Sequence, residues 1–129
     1  LDNIYFYGVV SPKETIKYLN SFDILLAPYA KKVSIFGSSK SDTGKFMSPL
    51  KIFEYMSHKK SIIVSDLPVI REVLNENNSI LVDSDDVKMW INSINKLQDS
   101  NSREIIANQA LKDFYNYSWK NRALLVVKI

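Results

Sequence analysis

Cysteine is absent from the 129-residue chain, and histidine occurs once, as His58. The first absence excludes disulfides, thiolate catalysis and cysteine-type zinc clusters, and the second excludes an all-histidine metal site or a relay of several imidazoles. Glycine is scarce, with three residues where an average composition would supply roughly nine. No apolar run approaches the ~20 residues that cross a bilayer, and no signal-peptide pattern opens the chain. Neither sign of charge is gathered in one place: 17 basic and 14 acidic residues leave a net charge of +3, and the lysines are scattered. A nucleic-acid partner is therefore not expected, while weak attraction to an anionic membrane surface stays open. What is present is 46% hydrophobic and 24% charged residues at the length of one domain, which excludes a disordered tail or a fibre. The chain reads as a single cytosolic domain over residues 1–129. It begins at Leu1 with strand-like residues and no initiator Met, so a piece of a longer protein is expected.

The pattern alternates strand and helix. Asn3–Tyr7 is aromatic and β-branched and stops at Gly8, which suits a short buried strand. Ser11-Pro12-Lys13-Glu14 carries the signs of a helix start: a serine cap, proline at the first helical position and an acid in the first turn. Asp23–Ala27, Ser61–Ser65 and Ser79–Val82 read as three further strands, the first of them halted by Pro28. Helices are expected from Ser48-Pro49 to about His58, over Pro68–Leu74, from a cap at Asp85 to about Leu97, over 102–115 and over 118–128. A loop as long as Ala30–Met47 inside a compact domain is usually functional. Four alternations predict an α/β fold: a three-layer sandwich whose parallel, Rossmann-like sheet is covered on both faces.

Such sheets bind ligands beyond the carboxyl ends of their strands. Gly8 follows the first expected strand, and Gly37 and Gly44 lie in the loop after the second, so all three glycines fall on that edge. Glycines also simply mark turns, and Gly8 taken alone fits that reading equally well. The 48–58 helix carries more information. Pro49, Ile52, Phe53 and Met56 share an apolar sector, while Lys51, Glu54 and His58 lie within roughly 60° of one another on the opposite side. A cation, a carboxylate and an imidazole thus share a face that begins at a helix N-terminus, where free N–H groups suit a phosphate. A carboxylate farther along could accept two hydrogen bonds from a ribose diol. The same Lys–Glu spacing also describes a plain surface pair worth a few tenths of a kcal/mol, and the residues alone leave both readings open.

Ser48-Pro-Leu-Lys-Ile-Phe-Glu-Tyr-Met56, followed by Lys60-Ser-Ile-Ile-Val-Ser-Asp-Leu-Pro-Val-Ile-Arg-Glu-Val-Leu74, resembles the donor-binding half of GT-B glycosyltransferases. The likeness is to the large retaining family that includes sucrose and glycogen synthases. Tyr5–Val10, Ala27-Pro28, Asn78–Val82 and Tyr117-Ser118-Trp119 follow that family's order, so the resemblance spans nearly all of residues 3–122. It implies that the backbone of Ser48, Pro49 and Leu50 cradles a donor diphosphate. It implies further that Glu54 binds the nucleotide ribose and that Gly8, Val9 and Val10 lie against the base. Lys45 and Lys51 are the nearest local cations, and neither matches the family's basic pair. His58 lies beyond the matched motif and reads as a solvent-facing helix-end residue, its charge favourable against the helix dipole.

The family's second glutamate, eight positions before Glu54, is Phe46 here; Asp42 or loop backbone would have to contact the donor sugar instead. By the same resemblance, the basic pair that neutralises the diphosphate and the acceptor-binding domain precede this chain. The expected activity is transfer of a sugar from a nucleotide-diphosphate sugar to a polysaccharide or glycolipid acceptor, with retention, with no metal and no cofactor. It belongs to the full-length cytoplasmic enzyme, at the inner membrane face if the weak membrane attraction holds, and this chain alone is expected to be inactive. Competing readings are a non-catalytic nucleotide-binding module and a GT-B-like sugar-nucleotide epimerase, which would normally carry more histidines. A phosphoacceptor receiver domain would need an acidic cluster at strand ends that carry Gly8, Pro28 and Ser65.

Overall fold

Ser61-Ile-Ile-Val-Ser65 has apolar or small side chains at every position, so it can be sealed from water on both faces, and it forms the middle strand of the sheet. The computed structural model describes residues 2–31 and 50–127. Strand β1 (Ile24–Ala27) pairs in parallel with β2 (Ser61–Ser65), and β2 pairs in parallel with β3 (Ile80–Val82). The order β1-β2-β3 follows the chain. All five residues of β2 are buried, and Ile62, Ile63 and Val64 show no exposed surface. Burial of each such side chain contributes about 1.5–3 kcal/mol.

Because side chains alternate across a strand, β2 serves two cores. Ile62 and Val64 join Ala27, Ile52, Met56, Ile70 and Leu74 on one face. Ile63 joins Val82, Leu97 and Ile106 on the other. The first face is covered by α2 (Leu50–Ser57) and α3 (Pro68–Arg71), the second by α4 (Val87–Lys96). Helix α5 (Ser100–Phe114) passes the amino edge of the strands. Ser61 Oγ donates to the Arg103 carbonyl at 2.8 Å, Ile106 belongs to the α4 side and Ala110 to the α2 side. A short 3₁₀ turn, Tyr115–Tyr117, leads into α6 (Trp119–Val127).

The local signals of α1 (Pro12–Ser21) act as expected. Ser11 and Glu14 form a reciprocal capping box behind Pro12. Among its apolar residues only Leu19 is buried, and Lys60 Nζ ties the helix to the sheet by donating to the Asn20 carbonyl at 2.7 Å.

Three expectations need correction. Asn3–Tyr7 is not a strand: it pairs with no ladder among the described residues, and Tyr5, Phe6 and Tyr7 are exposed, Phe6 at 94%. Aromatic and β-branched residues make a strand only where a neighbouring strand completes their hydrogen bonds, and here Tyr7 leans instead on Tyr18 of α1, ring centroids 5.0 Å apart. The sheet therefore has three described strands, not four, and Gly8 follows irregular backbone, with a left-handed φ of 70°. Helix α4 is capped by Asp86, not Asp85, because Asp86 Oδ1 accepts from the Met89 N–H at 3.1 Å, while Asp85 is engaged in an ion pair. Val87 and Ile91 of its expected apolar stripe are exposed. The expected loop over 30–47 and the Ser48-Pro49 helix start lie largely outside the described residues.

The turn that follows α2 contains Lys59, a non-glycine residue at φ 53°. The Lys59 N–H bonds to the Met56 carbonyl at 3.1 Å, so the turn is formed despite the crowding of its Cβ. Lys59→Gly should raise the stability of the domain by about 1 kcal/mol in urea denaturation. An unchanged or lower midpoint would show that this turn carries no backbone strain.

Candidate functional site

The crossover that joins β1 to β2 through α2 places the first turn of α2 beside the carboxyl ends of both strands, and one residue links the three. Tyr29, two positions beyond β1, donates its N–H to Ser65 Oγ at 2.8 Å, extending the contact between β1 and β2 past the ladder. Its half-buried ring packs against the α2-side core, and Lys51 Nζ stands 5.9 Å from the ring centroid. Tyr55 follows Glu54 on α2, and burial raises its hydroxyl pKa, with smaller contributions from the nearby Tyr29 and Glu54. Burial also raises the pKa of Tyr29.

Glu54 is exposed on α2. Lys51 and Glu54 form no ion pair with each other; Lys51 is turned toward Tyr29, so the surface-pair reading of their spacing does not describe them. Leu50 opens the helix and is exposed. His58 is half-buried rather than solvent-facing: Nδ1 lies 3.0 Å from the Glu54 carbonyl and 3.1 Å from Ser57 Oγ, so the imidazole caps the helix end. No hydrogen bond or ion pair joins Gly8, Val9 or Val10 to Leu50, Lys51 or Glu54. Val9 is fully exposed and Val10 partly so. Ser48, Pro49, Asp42 and Phe46 lie outside the described residues. Of the sequence-derived set, the structure brings Leu50, Lys51 and Glu54 together on one helix. It adds Tyr29, Ser65 and Tyr55, which sequence reasoning missed; the position of Tyr29 immediately after the strand-ending Pro28 was the available signal.

Away from α2, two cations are engaged by carboxylates. Lys31 Nζ is 2.8 Å from both Asp83 Oδ1 and Asp85 Oδ2, bridging the carboxyl ends of β1 and β3. Arg71 grips Asp66 in a two-point pair, Nη2 donating to Oδ2 at 2.8 Å, and reaches Glu76 Oε1 with Nη1 at 2.8 Å. Two cations thus meet four carboxylates. Hydrogen bonds from Lys31 lower the Asp83 pKa, and those from Arg71 lower Asp66 and Glu76. Among the described residues the β3 end of the edge, where Asp83 and Asp85 share Lys31, is anionic in excess and repels a phosphate, whereas Lys51 at the α2 end attracts one. No group of three or more metal-ligating side chains occurs among the described residues. An apolar groove of about 610 Å³ opens on the other side of Leu50, bordered by Phe53, Phe114, Tyr117, Trp119 and Leu125.

The family model for glycosyl transferases group 1 matches residues 1–100. The chain belongs to that family. The match takes in β1, α2, β2 and β3 and ends at the first residue of α5, so the whole carboxyl edge described above lies within the matched region. The three-stranded parallel sheet with helices on both faces fits part of a Rossmann-like GT-B domain, and membership of the family implies a nucleotide-sugar donor. No curated protein matches the chain. No helix among the described residues is long and apolar enough to cross a membrane.

Asp66, Glu76 and Asp83 have lowered pKa values in the folded protein, so their contribution to stability is present above the ordinary carboxylate range and disappears as pH falls through their folded values. Stability should therefore stay level from pH 7 to about 5 and fall below about 4. Arg71→Met and Lys31→Met should each flatten that acid limb in urea midpoints measured against pH. Equal acid limbs in wild type and both variants would show that these pairs are too well solvated to contribute.

Proposed function

We propose that this chain is the donor-binding part of a retaining glycosyltransferase, which moves a sugar from a nucleotide-diphosphate sugar to a polysaccharide or glycolipid acceptor. The observation that carries the reading is the exposed Glu54 carboxylate on α2, free of Lys51, on a helix that starts at the carboxyl edge of a parallel sheet. Glu54 accepts hydrogen bonds from the two ribose hydroxyls. The first turn of α2, with the backbone of Ser48, Pro49 and Leu50, receives the diphosphate, and Gly8, Val9 and Val10 lie against the base. Stabilising the departing diphosphate with N–H groups and cations is electrostatic catalysis of the oxyanion-hole kind and calls on no metal or cofactor. Asp42 or loop backbone takes the donor-sugar contact where the related pattern has a glutamate. The acceptor domain and the remaining diphosphate cations come from elsewhere in the full-length protein, which works in the cytoplasm, at the inner membrane face where its acceptor is lipid-linked.

Phe46 in place of that glutamate favours a second reading, a nucleotide-binding module without turnover. Incubating the full-length protein with labelled UDP- and GDP-sugars separates the two. Release of the nucleotide diphosphate with transfer of the label is expected, and binding without release would support the module.

Replacing an ionised acceptor with a neutral one weakens a pair of hydroxyl donors. Glu54→Gln should therefore raise the Kd for UDP or GDP about tenfold by NMR titration. An unchanged Kd would remove the ribose assignment.

A further inference from the structure

Lys51 is a flexible side chain at a helix start, and a flexible ammonium loses conformational entropy when it settles on a ligand. Among the described residues its contact is with a ring, not an ion pair. The Tyr29 backbone is clamped by Ser65 Oγ at 2.8 Å, Ser65 is itself fully buried, and the Tyr29 ring is wedged against the α2-side core. The ring therefore presents a fixed π-face, and the Lys51 ammonium lies over it, 5.9 Å from the centroid, within the range of a cation–π contact. Two other cations among the described residues, Lys31 and Arg71, are each held by two carboxylates. Lys51, in contrast, has no ion-pair partner among the described residues and rests on a neutral ring, which orients it without neutralising its charge.

We infer that Tyr29 is a positioning residue that holds the Lys51 ammonium at the first turn of α2 for the diphosphate of the donor. This rests on the donor-site reading proposed above. The ring contributes orientation and no hydrogen bond to the ligand, so its hydroxyl is dispensable and its π-face is not. The nucleoside half of the donor does not depend on it.

The test is a titration of the chain by NMR or calorimetry with UDP, GDP, uridine and guanosine. Tyr29→Leu should weaken binding of the nucleoside diphosphates about two- to fivefold, the size of an exposed cation–π contact, and leave the nucleosides unchanged. Tyr29→Phe should bind as wild type. In a Lys51→Met background, Tyr29→Leu should add nothing. Equal losses for nucleosides and diphosphates, or additive losses in the double variant, would overturn the assignment. If Tyr29→Leu is too unstable to titrate, Ser65→Ala, which releases the Tyr29 amide, carries the same expectations. Glu54→Gln separates the two levels of the account. If it weakens nucleoside binding while the Tyr29 variants change nothing, the donor site stands and the positioning role falls. If neither nucleosides nor diphosphates bind the wild-type chain, both fall.

Discussion

Two-sided burial of β2 is the constraint from which the rest of the molecule follows. Ile62 and Val64 need a helical layer on one face and Ile63 needs another on the opposite face, which places α2 and α4 on different sides of the sheet. A parallel pair cannot be joined by a tight turn, so the chain must cross over through α2 and return to the amino edge before β2 begins. With faces and amino edge covered, the carboxyl edge is where polar side chains and helix starts meet. Ser65 belongs to both worlds: it is the last residue of the buried strand, and its Oγ accepts the Tyr29 N–H that shapes the edge.

Electrostatics then divide that edge. At the β3 end, Lys31 is committed to Asp83 and Asp85, and among the described residues the surplus of carboxylate there disfavours an anion. At the α2 end, a helix start and Lys51 favour one, and Glu54 stands farther along the same helix. A ligand with a diphosphate at one end and a diol at the other matches that order of charges. Family membership implies a nucleotide-sugar donor, and seating that donor on this edge is the reading proposed above.

Much of this was legible in the sequence wherever the physics is local. Ser11, Pro12 and Glu14 specify their own helix start through contacts three residues apart, and the run Ser61–Ser65 announces burial on both faces by composition alone. The misreadings came where the outcome depends on distant partners. Asn3–Tyr7 has strand residues but no neighbouring strand among the described residues. Asp86 caps the helix in place of Asp85, and Asp85 pairs with Lys31, more than fifty residues away in the chain. The Lys51–Glu54 spacing is that of a surface pair, yet the Tyr29 ring draws Lys51 away, a contact that helical periodicity does not reveal. Tyr29 and Ser65 were missed for the same reason, since the sheet register that brings them together is not visible in either residue's neighbours.

The central claim is that the carboxyl edge around α2, and not another hollow of the surface, receives a nucleoside diphosphate. Amide chemical-shift mapping of the chain during titration with UDP and GDP tests it most directly. The account predicts shifts concentrated at Tyr29, Ser65 and Leu50–Glu54, with little change at Asp83 and Asp85. Shifts confined to the cavity of about 480 Å³ bordered by Asn77, Lys96 and Gln109, or to the groove beneath Trp119, would contradict it.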